Sequence, residues 1–133
     1  MEWKQTYNDL CAEIDILQLR LVDLENEFKV AHRTVWTGCA PGENHARVPL
    51  DKSLMQYDEI KTKLQEVEST LRRKERIRDE MERRMSQFQG LEYKVAYMRD
   101  IQGKRLQQIA DELGLSLLYI QKISSRVNRM RAS

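Results

Sequence analysis

A chain of 133 residues with 33% charged and only 7% aromatic residues, five glycines and two prolines has the profile of long helices, and excludes a β-sandwich. Two cysteines, Cys11 and Cys39, are too few for a disulfide framework and point to a reducing compartment. No apolar run approaches the ~18 residues of a membrane span, and the opening "MEWKQTYNDLC" lacks the basic-then-apolar order of a secretory signal. The net charge of +2 hides an asymmetry. Residues 1–50 carry −3, residues 51–90 carry +1 and residues 91–133 carry +4. Beyond Glu112 there is no acid, while Lys122, Arg126, Arg129 and Arg131 follow. A basic terminal unit on a balanced chain points to a polyanionic partner for that unit.

The first element is a helix over 3–31. Trp3, Leu10, Leu17, Leu24 and Ala31 repeat every seven residues, as do Tyr7, Ile14, Leu21 and Phe28 at the complementary offset. Alternating intervals of four and three are coiled-coil spacing. Such a helix is about 43 Å long at ~1.5 Å per residue. Its narrow apolar stripe requires a partner helix, either within the chain as a hairpin or in a second copy as a homodimer or higher oligomer.

Residues 32–50, "HRTVWTGCAPGENHARVPL", break the pattern. They hold both prolines and both histidines, and form a long loop. His32, Cys39 and His45 lack any paired-ligand spacing, so no metal is expected. Asp51 or Ser53 is a candidate cap for a second long helix after Pro49. Its stripe runs through Leu54, Tyr57, Ile60, Leu64, Val67 and Leu71. Lys74, Ile77 and Arg78 disturb it, which predicts a stutter or bend, before it resumes at Met81, Met85 and Phe88. The charges of "RRKERIRDEMERR" read as a self-paired helix surface, with Arg76/Glu80 and Asp79/Arg83 spaced to meet.

From Leu91 the period shortens. Leu91, Val95, Met98 and Ile101 define a first short helix, ended by Gly103 in a left-handed cap. Leu106 to Leu113 forms a second, and Ser116 caps a third. Residues 106–125 fit the helix-turn-helix template. Ala110 stands where two steeply crossing helices come closest and Gly114 where the turn needs positive φ. Ile109, Leu113, Leu115, Ile120 and Ile123 face the core. The fold class is therefore all-α: a long coiled-coil-like helical hairpin over 1–90 for oligomerisation, followed by a compact three-helix helix-turn-helix domain over 91–133.

The stretch "LEYKVAYMRDIQGKRLQQIADELGLSLLYIQKISSRVNRM" resembles the promoter-binding C-terminal domain of bacterial sigma factors. Its "EYKV" opening, "G-x-x-L-x-x-I-A-x-x-L-G-L-S" centre and "I-x-x-I-x-x-R" exit carry the likeness. The arrangement of the whole chain resembles the sigma-like regulators of phages and prophages, of the ArpU and RinA types. That resemblance implies a sequence-directed regulator of transcription acting on double-stranded DNA, in the cytoplasm of a bacterium or phage-infected host. It also admits a contact to RNA polymerase, which composition and spacing do not show.

On this reading the third helix enters the major groove. Ser116, Leu117, Leu118, Gln121, Lys122 and Ser125 face outward, with Gln121 suited to an adenine edge and Lys122 to guanine or phosphate. Arg126 and Arg129 hold phosphates, and Lys104 and Arg105 contact the backbone from the start of the second helix. Sigma factors tend to carry charged groups where Leu117 and Leu118 stand. The two leucines either touch thymine methyls or pack against protein. No phosphate loop, metal-ligand pair or nucleophile with its base appears, so neither an enzyme nor a cofactor is expected. Two rival readings share the same elements: a phage DNA-packaging adaptor like a small terminase subunit, and a coiled-coil protein-interaction adaptor.

Overall fold

A computed structural model of the protein describes residues 1–40, 42 and 46–132, with Arg131 and Ala132 as backbone only. Every regular element among the described residues is helical. In order they are α1 (Glu2–Thr37), α2 (Leu50–Met85), α3 (Leu91–Ala96) running into a π-helical turn (Tyr97–Ile101), α4 (Leu106–Leu113) and α5 (Leu117–Ala132). No helix among the described residues is long and apolar enough to cross a membrane.

α1 exceeds its expected bounds, whereas α2 begins just after Pro49 as expected and ends at Met85, short of Phe88. α1 continues past Ala31 to Thr37 because nothing between His32 and Thr37 breaks it. The first glycine, Gly38, ends it at φ 70°, and its N–H donates to the Thr34 carbonyl at 2.8 Å. The loop predicted over 32–50 therefore shrinks to 38–49. α2 starts at Leu50, so Asp51 and Ser53 are inside its first turn and do not cap it. The Ser53 N–H bonds the Pro49 carbonyl at 3.0 Å, and its hydroxyl bonds the Leu50 carbonyl at 3.0 Å.

The chain forms two compact units, one of residues 8–77 and one of residues 1–7 with 78–133. In the first, α1 and α2 pack as an antiparallel pair. Glu13 meets Lys74 at 2.9 Å, and Phe28 meets Tyr57 at 5.0 Å between ring centroids. Advancing along α1 thus retreats along α2. The α1 stripe is covered within the chain, with Leu10, Ile14, Leu24 and Ala31 buried. Of the two partners that the sequence left open for it, α2 of the same chain takes the seam.

The α2 stripe departs from the expected one at both ends. Ser53 is buried, whereas Leu54 is 41% exposed. Ile77 is 45% exposed and does not shift the apolar face. Lys74 and Arg78 hold the seam positions instead, both half-buried. With them the intervals from Tyr57 to Met85 alternate three and four without a break. The predicted stutter is absent, and α2 is one uninterrupted helix from Leu50 to Met85. A lysine is tolerated there because its stem covers apolar surface while its ammonium reaches Glu13.

In the second unit the last turns of α2 and the first turns of α1 join α3–α5. Trp3 packs edge-on against Phe88 at 5.0 Å, and Phe88 against Tyr93 at 5.3 Å. Tyr7 donates to Glu82 at 2.6 Å. The α2 surface here is self-paired, though not as the spacing suggested. Glu80 accepts from Arg83 at 2.9 and 2.5 Å and from Arg84 at 2.9 Å, while Arg76, in the first unit, donates to the Arg72 carbonyl at 3.4 Å. The Arg83 and Arg84 hydrogen bonds lower the Glu80 carboxyl to a pKa of about 2.

Candidate nucleic-acid interface

The helix-turn-helix is built on a core of Val95, Met98, Ile109, Ala110, Ile120 and Ile123. Leu91, Leu106, Leu113 and Leu115 pack around it. Ala110 is only 1% exposed, as a close helix crossing requires. Gly114 takes φ 68° and ψ 29°, and its N–H returns to the Ala110 carbonyl. No heavy atom would lie within 4 Å of a Cβ at Gly114. Glycine is needed there for backbone conformation, not for space. Ser116 caps α5, its hydroxyl accepting from the Tyr119 N–H at 3.2 Å.

The π turn closes the first helix. The Gln102 N–H reaches back to the Tyr97 carbonyl at 3.1 Å and the Lys104 N–H to Met98 at 3.0 Å. Gly103 follows at φ 67°. Within this turn Arg99 Nε and Nη2 grip both carboxylate oxygens of the neighbouring Asp100 at 2.8 and 3.0 Å. Lys4 donates to the same carboxylate at 2.5 Å. Arg99 Nη1 then bonds Ser124 on α5, at both its hydroxyl and its carbonyl. Burial pushes the Asp100 carboxyl up, but the bonds from Arg99 and Lys4 outweigh it and hold the group below its ordinary range.

Spacing along the chain did not reveal this network. One signal was present: Ser124 lies among Ile120, Ile123 and Val127 on the buried side of α5. A polar residue on an apolar face needs a partner.

Opposite that buried side, Leu118, Gln121, Lys122, Ser125, Arg126 and Arg129 line one shallow surface groove. Six of the ten expected residues thus share a face that contains no acid. Among the described residues Lys122 and Arg129 form no ion pair, and Arg126 reaches only Glu92, at 3.5 Å with both side chains partly exposed. Such a pair is worth little and releases its arginine cheaply.

The other four stand apart from this groove. Ser116 is occupied as the cap of α5. Lys104 is half-buried and paired with Glu112 at 2.7 Å, so it is not a free cation. Arg105 precedes α4 with its side chain exposed, and its N–H bonds Gln108 Oε1 at 3.0 Å. The two leucines also separate. Leu118 is 64% exposed and on the polar face, whereas Leu117 is 36% exposed and one helical step off it. Tyr119, 41% exposed, adds an aromatic edge that the sequence reading omitted.

Among the described residues no group of three or more His, Cys, Asp or Glu is arranged to hold a metal ion. His32 accepts from Trp36 Nε1 at 2.9 Å, and Cys39 sits in an isolated β-bridge with Arg47. His45 lies outside the described residues. No family model, curated protein or solved structure matches the chain.

Proposed function

We propose that this protein is a sequence-specific regulator of transcription that binds double-stranded DNA with α5 in the major groove. One observation carries the reading. The exposed side of a capped 16-residue helix gathers Leu118, Gln121, Lys122, Ser125, Arg126 and Arg129, while Ile120, Ile123 and Val127 anchor its other side. The major groove is ≈12 Å wide and admits one helix. Gln121 offers the paired donor and acceptor that suit adenine, Lys122 a donor for guanine or phosphate, and Leu118 an apolar contact for a thymine methyl. Arg126 and Arg129 supply sequence-independent phosphate contacts. The sigma-like resemblance adds a contact with RNA polymerase and action in the bacterial or phage-infected cytoplasm. The polymerase contact is tested by co-purification with the host enzyme.

Selection of duplexes from a random pool by the full chain tests the DNA reading. A preferred site should emerge, and Gln121→Ala or Lys122→Ala should weaken binding to it by roughly 1–3 kcal/mol with folding intact. Recovery of no enriched sequence, or full affinity in both variants, sinks the assignment of α5 as the reader.

A further inference from the structure

With the seam of α1 covered by α2, a second apolar set on α1 is left outside. Ile16 is 66% exposed, Leu19 72% and Val30 41%. Their spacing, with Asp23 and Asn26 between them, alternates three and four, so they share one face. At the far end of that face lies a groove between the two long helices. Val30 and Ala31 of α1, Val48 of the loop and Ile60 of α2 provide its apolar lining, and Asp23, Glu27 and Glu59 its acids, which outnumber the lysine beside them, Lys52. One face therefore carries protruding apolar side chains at one end and an apolar groove with an acidic rim at the other.

We propose that the occupant of this groove is a second copy of the chain, docked antiparallel on α1 about a two-fold axis. Antiparallel pairing sets Leu19 of each copy on Val30 of the other, filling both grooves. Parallel pairing would stack the protrusions on one another and leave both grooves empty. Charge follows the same direction. Arg20, beside Leu19, faces the acidic rim of the second copy at Glu27. Among the described residues of the single chain Arg20 meets only its own Asp23, at 2.9 Å with both side chains exposed, and keeps donors for a second carboxylate. Such an interface uses the same patch on both subunits and closes at two. It does not depend on DNA binding.

Sedimentation of the full chain tests this. The wild type should reach twice the 15.8 kDa chain mass as concentration rises. Leu19→Lys and Val30→Asp should each raise the dimer dissociation constant by at least about tenfold. Both residues are exposed, so circular dichroism should show unchanged helicity. The chain carrying both substitutions should associate again, because each new lysine meets a new aspartate across the interface. A wild type that stays monomeric, an assembly larger than two, single variants that still dimerise, or a double variant that does not re-associate overturns the pairing.

Discussion

Arg99 spans from the π turn to α5, donating from Nη1 to the Ser124 carbonyl at 3.3 Å and to the Ser124 hydroxyl. Its remaining donors hold Asp100, which also holds Lys4 from the first turn of α1. The bonds tie the buried side of α5, where Ile120, Ile123 and Val127 also pack, to the π turn. Arg99→Ala should cost about 1–3 kcal/mol of stability, because it leaves the buried Ser124 hydroxyl unpaired and the partly buried Asp100 carboxylate with Lys4 alone. Ser124→Ala should cost less, since Arg99 keeps its grip on Asp100. Denaturant unfolding of the two variants checks the order, and equal stabilities would contradict it.

The same network has a pH signature. The folded Asp100 pKa lies below its ordinary value of 3.8. A carboxyl depressed by folding contributes stability that is complete above its unfolded pKa and is lost as pH falls through the folded one. Thermal midpoints of the wild type should therefore drop as the pH is taken below 3.8. Asp100→Asn should be less stable at neutral pH and show a shallower acid slope. Glu80 adds little to that slope, because its carboxylate is on the exposed surface of α2 and its ion pairs are screened by solvent.

Leu117 and Leu118 should respond differently to DNA. Leu118 is 64% exposed on the groove-lining face, and Leu117 is 36% exposed and apart from it. If Leu118 covers a thymine methyl, replacing that thymine by uracil should weaken wild-type binding by about 0.8 kcal/mol. Leu118→Ala should be indifferent to the methyl and change stability by less than ~0.5 kcal/mol. Leu117→Ala should keep the methyl preference. Loss of the preference in Leu117→Ala, and not in Leu118→Ala, would reverse the assignment.

The hairpin seam gives a contrast between two apolar residues of α2. Leu71 is 7% exposed and Ile77 is 45% exposed. Leu71→Ala should cost about 2–5 kcal/mol, whereas Ile77→Ser should stay within ~0.5 kcal/mol. Urea titrations distinguish this register from one in which Ile77 turns inward, where the Ile77 variant would also be strongly destabilised.

Much of the architecture was legible in the chain because it depends on neighbours a few residues apart. The four-and-three spacing of α1, the glycine at 114, the serine at 116 and the small side chain at 110 are local demands of helix, turn and crossing. The division of α5 into an apolar and a basic side follows from the same period, and six of the ten expected interface residues share its outer groove. What the sequence left open was decided by contacts between residues far apart. Lys74 stays in the seam because Glu13 on α1 receives its charge, so no stutter is needed. Lys104 is drawn to Glu112 by an ion pair that spacing did not suggest. Arg99, an ordinary basic residue in the sequence, becomes a tie to α5 only because the fold brings Ser124, 25 residues on, within reach. Periodicity tells which side of a helix is apolar, but not whether α2 or another molecule covers it, because a hydrophobic stripe carries no address. Antiparallel packing of α1 on α2 consumed the first stripe of α1 and left Ile16, Leu19 and Val30 outside.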